Sequence, residues 1–206
     1  MARSGESWWN PTAVVLASSL AIPAALLPLV PADYRPWNFA AFGAIALFTA
    51  ARGGRLGLPL AVILAIGSKL VFDLINYDLH AYHSDYEPSL VVYGCLALYG
   101  LVGWTLARRS ENPLRLAGAT FLGSLAFFLV TNFFSWQRFD LPYDRSPLGL
   151  IESYWMALPF WRGTLISDVL FSAGLFGAYA VLSRVGFLAG RPALVRISVE
   201  PRSDAS

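Results

Sequence analysis

Six long apolar runs, separated by short polar segments, constrain the fold of this chain more than any other feature. They lie at about residues 12–31, 37–51, 56–76, 89–107, 114–136 and 163–184. A helix needs roughly 20 apolar residues to cross the hydrocarbon core of a bilayer. The second run is shorter, which a tilted or partly buried helix accommodates. The pattern predicts an all-α, six-helix membrane bundle that forms one transmembrane domain over residues 1–206.

The composition agrees with a protein whose solvent is largely lipid. Hydrophobic residues make up 56% of the chain and charged residues only 14%, whereas soluble proteins carry about 25% charged residues. The net charge of +2 is spread over the loops, so membrane lipids are expected as partners and nucleic acid is not. The lone cysteine excludes an internal disulfide and a cysteine-rich metal cluster.

The distribution of arginine predicts the orientation. With six spans, both termini and the second and fourth connections share one side, and that side holds ten of the fourteen arginines. Basic residues in short loops favour the cytoplasmic side. Both termini are therefore predicted to be cytoplasmic.

The longest external connection, 137–162, contains an apolar and aromatic stretch that is too short to span. It is typical of an interfacial helix or a lid over the bundle. Trp155 and Trp161 of this segment, with Tyr82 and Tyr86 of the preceding external loop, are predicted to form the rim or gate of a site.

Polar residues inside the apolar runs mark where that site is expected. An ionisable residue at the centre of a span costs about 2.5–3.5 kcal/mol on insertion scales, so its position is informative. Lys69, Asp73 and Asn76 follow one another on one face of the third run, and Asp168 lies in the sixth. These residues predict an outward-facing ligand pocket. The expected ligand-binding set is Asn38, Lys69, Asp73, Asn76, Asn132, Trp136, Thr164 and Asp168.

The same residues have a structural reading. Lys69 and Asp73 are four residues apart, a spacing that pairs opposite charges on a helix without any ligand. Asn132 has the alternative of an interhelical hydrogen bond. The sequence leaves open whether these groups bind a ligand or hold the helices together.

His80 and His83 lie near three acidic residues in the loop after the third run. Their types suit zinc, but two histidines in a loop with scattered acids match no tight site pattern. They are weak metal candidates, and no metal and no cofactor are predicted.

The first run carries alanine at every fourth position. Such a ridge of small residues lets another helix approach closely and predicts docking of a partner subunit on this run. The ridge consists of Ala13, Ala17, Ala21 and Ala25.

Motifs of common enzymes are missing from the chain. It has no G-x4-G-K-[ST] loop, no G-x-S-x-G and no H-E-x-x-H. We therefore expect a protein that is not an enzyme. If it moves a solute uphill at the expense of ATP, another subunit must supply the ATPase.

Four blocks of the chain resemble a known family. "RPWNFAAFGAIALFTAARGG" (35–54), "SKLVFDL", "FFLVTNFFSW" (127–136) and "YWMALPFWRGTLISDVLFSAGLFGAY" (154–179) are similar to uncharacterised bacterial membrane proteins. That family is thought to be related to the substrate-binding S components of energy-coupling-factor vitamin transporters. The resemblance implies six helices, a pocket near the outer surface and docking through alanines of the first helix.

Together these features predict a substrate-binding subunit in the bacterial inner membrane. It would take up a small, vitamin-like micronutrient with a separate ATPase and scaffold module. Two alternatives stay open: a structural or accessory subunit of a membrane complex, and a membrane enzyme or metal protein that uses Asp73, His80 and His83.

Overall fold

The computed structural model describes residues 7–34, 39–80, 90–108, 110–137 and 143–185, and for 32 and 78–80 only the backbone. The described residues form six α-helices and no strand. The helices are α1 Pro11–Leu26, α2 Phe42–Arg52, α3 Gly57–His80, α4 Leu90–Val102, α5 Pro113–Trp136 and α6 Pro147–Val185. A 3-10 turn, Leu27–Leu29, follows α1, and a π-helical turn, Gly103–Ala107, continues α4.

Helix α2 is the centre of the bundle. Every residue from 41 to 51 is buried, and α2 packs against each of the other five helices. Its 11 residues span only about 16 Å, roughly half of the ~30 Å hydrocarbon core. The other five helices, counted together with the short turns that continue them, are long and apolar enough to cross a membrane. The all-helical prediction is thus confirmed, with five long spans and one short central helix in place of six spans.

The described chain ends meet at one end of the bundle. The backbone NH of Leu56 donates to the carbonyl of Trp8 (2.9 Å), and the Asn10 amide donates to the Tyr179 hydroxyl (2.7 Å). At the same end the Arg52 guanidinium donates to the carbonyl oxygens of Ala107 (3.3 Å) and Ser110. Segment 7–10, the α2–α3 and α4–α5 connections and the C-terminal part of α6 therefore lie together.

The alanine ridge of α1 points into the chain's own core. Ala13 and Ala17 are completely buried, and Ala21 and Ala25 nearly so, where α1 packs against α2, α3 and α6. The partner-docking surface predicted for these four residues is corrected: small side chains allow close helix approach, and the approaching helices belong to this chain.

Helix α6 is longer than the sequence predicts. The predicted span 163–184 and most of the predicted external segment 137–162 form one helix of 39 residues, with Pro159 inside it. The N-terminal part is held on α5: the Ser153 hydroxyl donates to the Asn132 carbonyl (3.2 Å), and the Tyr154 hydroxyl donates to the Leu129 carbonyl (2.9 Å). The proline does not end the helix because packing against α5 fixes both sides of it.

The two asparagine N-caps offer a matched test of the end where the termini meet. The Asn10 side chain accepts from the Ala13 NH (3.3 Å) and also donates to Tyr179. Among the described residues, the Asn112 side chain accepts only from the Leu114 NH (2.9 Å). We expect Asn10→Ala to lower the free energy of unfolding by about 2 kcal/mol, because a cap and a tertiary bond are lost. Asn112→Ala should cost about 1 kcal/mol. Equal losses in denaturant unfolding in micelles would contradict this.

Candidate functional site

One polar cluster joins α3 to α4. The Lys69 ammonium forms an ion pair with the Asp73 carboxylate, one helical turn away, and the Tyr93 hydroxyl of α4 donates to the other oxygen of that carboxylate (3.0 Å). The Lys69 nitrogen also lies 5.2 Å from the centre of the Phe72 ring. Exposures of 13% and 12% for the two charged side chains show a pair that is largely shielded but not completely buried. We call Lys69, Asp73 and Tyr93 the α3–α4 triad.

A second polar cluster lies deeper, where α6 meets α4 and α5. The Tyr99 hydroxyl donates to the Asp168 carboxyl group, and the Ser124 hydroxyl lies beside the same carboxyl. The Trp161 indole NH donates to the Ser124 oxygen (3.3 Å). Tyr99, Ser124 and Asp168 are all almost completely buried. We call these three residues the Asp168 cluster.

Two glycines make room for the Asp168 cluster. A methyl group added to Gly43 of α2 would lie 2.7 Å from an Asp168 oxygen and 2.7 Å from the Tyr99 ring. A methyl group on Gly123 of α5 would lie 2.6 Å from the same ring. Both distances are well inside van der Waals contact, so only glycine lets α2 and α5 close on Tyr99 from two sides.

The Asp168 cluster lies near mid-depth of the bundle. Its neighbour Gly43 precedes Arg52 by nine residues on α2, which is about 13 Å along the helix. Arg52 marks the end of the bundle where the chain ends meet, and a hydrocarbon core is ~30 Å thick. Tyr93 lies six residues before Tyr99 on α4, so the α3–α4 triad is about 9 Å further from that end.

The structure separates the sequence-predicted site residues into distinct places. Helix α3 packs against α1, α2 and α4, whereas the neighbours of Asp168 come from α2, α4 and α5. Lys69 and Asp73 are brought together, with Asn76 half-buried on the same helix. Asp168 lies apart from them, among its own neighbours on α2, α4 and α5.

The other predicted residues contact mainly nearby backbone. The Asn132 amide donates to the Phe128 carbonyl (2.8 Å) and the Thr164 hydroxyl to the Phe160 carbonyl (3.4 Å). The Trp136 indole donates to the Asp144 carbonyl (2.7 Å). These contacts leave the three side chains outside both clusters.

The predicted gate residues of α6 differ from each other. Trp155 is 71% exposed, as a lipid-facing or interfacial side chain would be. Trp161 is half-buried and stacks on Phe128, with ring centres 4.9 Å apart. Only Trp161 contacts a polar cluster.

Several predictions fall outside the described residues: Asn38, Tyr82, Tyr86 and His83, together with the side chain of His80. Within the described ranges no group of three or more histidine, cysteine and acidic side chains is arranged to hold a metal ion.

Sequence reasoning missed Tyr93, Tyr99 and Ser124. Each is an ordinary residue of a membrane helix, and nothing in its spacing singles it out. A usable signal for Tyr99 was its position deep in an apolar run, because a buried tyrosine hydroxyl usually finds a hydrogen-bond partner. Asp168 was the acceptor available at that depth.

Comparison with known proteins gives a family and no function. No curated protein and no solved structure matches the chain. One family model, described as a family of unknown function, DUF6580, matches residues 8–192, which is nearly the whole chain. This protein therefore belongs to the DUF6580 family.

Proposed function

We propose that this protein is a solute-binding subunit of a membrane transport system, with the α3–α4 triad as its polar binding group. The solute class is a small, vitamin-like micronutrient with an apolar or ring-containing body and at least one polar group. A separate ATPase and scaffold module would supply the energy. The proposal includes a relation to the S components of energy-coupling-factor transporters, cytoplasmic termini and a place in the bacterial inner membrane.

The observation that carries the proposal is the pairing of Lys69 and Asp73 inside an apolar helix. Ionisable residues within membrane helices are rare and commonly mark ligand or ion pathways. The triad is shielded on most sides yet retains some exposure, and the Phe72 ring lies beside it. A few polar groups in a mostly apolar setting are typical of small-molecule sites.

A structural role is the second candidate, and one observation favours it. Lys69 and Asp73 satisfy each other, and Tyr93 ties them to α4, so the triad needs no ligand to be stable. In this alternative the chain is an accessory subunit, and the triad is a bond between two helices.

Binding measurements separate the two candidates. Purified protein in micelles is titrated with a panel of vitamins and related ring-containing solutes, and binding is followed by calorimetry. We expect one solute class to bind and Asp73→Asn to weaken that binding at least tenfold, because the acceptor that orients the solute is weakened. Asp144→Asn, which changes an exposed aspartate, is the matched control.

The thermal stability of each variant is measured alongside. A variant that is still folded at the temperature of the titration and loses binding supports the solute site. If no solute of the panel binds the wild type, or if Asp73→Asn binds as the wild type does, the accessory role replaces this proposal.

A further inference from the structure

Asp168 is an acidic residue whose charge has no compensating cation in the part of the chain that the structure describes. Its side chain is only 1% exposed, and its polar contacts are the uncharged hydroxyl groups of Tyr99 and Ser124. Lys69 is already paired with Asp73 in the α3–α4 triad. A buried carboxylate without a paired cation is very costly, so such groups bind a cation or take up a proton.

The surroundings also support the charged form in part. The Tyr99 hydroxyl donates to the carboxyl, the Ser124 hydroxyl lies beside it, and so does Gly43, in the first turn of α2. A helix N-terminus carries about half a positive charge. Burial favours the neutral acid while these groups favour the anion, and opposing effects of this kind suit a group that changes its protonation state.

Among the described residues, no other charged side chain acts on the Asp168 carboxyl group. Helix α4 contributes Tyr99, with Cys95 as the next titratable group behind it. Helix α5 contributes Ser124, α2 contributes Gly43, and the span of α1 carries no charged residue at all.

One further polar atom lies on α6 itself. Ser172 is one turn from Asp168, is 4% exposed, and its hydroxyl has no hydrogen-bond partner among the described residues. A buried hydroxyl without a partner, one turn away, is suited to exchange a proton with Asp168, because a hydroxyl both donates and accepts hydrogen bonds.

The space around Asp168 is too small for a metal ion with its ligands, but it is sufficient for a proton. Gly43 and Gly123 close on the Tyr99 ring so tightly that neither position has room for a methyl group. A sodium or larger cation needs several oxygen ligands around it, whereas a proton needs only the carboxyl oxygen.

We propose that Asp168 is a proton-exchange site near the middle of the membrane, whose carboxyl group takes up and releases a proton reversibly. Its use in driving solute uptake rests on the proposed function. The proton exchange itself does not rest on the proposed function, because it needs only Asp168 and its neighbours.

Infrared spectroscopy of the ligand-free protein in nanodiscs tests this directly. The carbonyl stretch of a protonated carboxylic acid is recorded while pH is raised. We expect one such band that disappears reversibly at higher pH, that is lost in Asp168→Asn, and that persists in Asp73→Asn and in the exposed control Asp144→Asn. Tyr99→Phe should shift the band to higher frequency because a hydrogen bond to the carboxyl is removed.

Three results would overturn the inference. They are a band that never changes with pH, a band lost in Asp73→Asn instead, and a band that Na⁺ removes at constant pH, which would indicate a metal-cation site. If Asp168→Asn fails to fold, the Tyr99→Phe shift decides. The experiment contains no solute, so failure of the solute panel leaves its outcome unaffected, and a titrating band without solute binding would refute only the proposed function.

Discussion

Replacing Lys69 by methionine should destabilise this protein by about 3 kcal/mol, because removing one partner of a shielded ion pair leaves the other charge uncompensated. Asp73 would keep only the Tyr93 hydroxyl as a described donor. Methionine preserves most of the side-chain volume, so the loss reports the charge rather than a cavity. The measurement is the free energy of unfolding in micelles.

The double variant Lys69→Met/Asp73→Asn is the control for this prediction. Once both charges are gone, no buried carboxylate remains, and we expect most of the lost stability to return. The difference between the single and double variants gives the coupling energy of the pair. If the double variant is as unstable as Lys69→Met, or if Lys69→Met costs nothing, the pair does not hold α3 as described.

The second large effect is expected at Gly103, where the π-helical turn after α4 touches α2. A methyl group there would overlap the carbonyl oxygen of Leu47. That carbonyl belongs to a helix buried on all sides, so it has nowhere to move. We expect Gly103→Ala to cost about 3 kcal/mol, at the upper end of the range for overpacking, and to lower the melting temperature in micelles.

Gly94 on the same helix provides the matched control. A methyl group added there has no neighbour within 4 Å, and the substitution should not destabilise the protein and should stabilise it by at most about 1 kcal/mol, because alanine favours the helix more than glycine does. Similar melting temperatures for Gly103→Ala and Gly94→Ala would show that α4 and α2 separate more easily than their packing indicates.

The sequence was sufficient to predict the helical membrane class because the apolar runs report directly on length and hydrophobicity. It placed five long helices correctly to within a few residues at most ends. It left open whether α2 is a tilted span or a buried helix, because an apolar run has the same composition whether its surface meets lipid or protein. It also divided α6, since Pro159 and the polar residues near it resemble a boundary, whereas contacts from α5 keep the helix continuous.

The candidate site was only partly predictable for a related reason. Charges in apolar runs identified Lys69, Asp73 and Asp168, since their cost makes any such position informative. Spacing along one helix also identified the pair of Lys69 with Asp73. The contact of Asp168 with Tyr99 joins residues 69 positions apart and depends on how α4 and α6 are rotated against each other, which periodicity does not determine.

The central position of α2 has a consequence for the biosynthesis of this protein. A helix of about 16 Å is too short to be stable alone in a bilayer, and its first turn begins at the depth of Asp168, where lipid offers no partner for backbone NH groups. Helix α2 follows α1 on the ribosome, yet α4, α5 and α6, which enclose it, are synthesised later. The second helix to be made therefore reaches its final environment only after the last helix, α6, has been made. Until α6 emerges, the nascent chain must keep α2 shielded at the insertion machinery or leave it outside the hydrocarbon core.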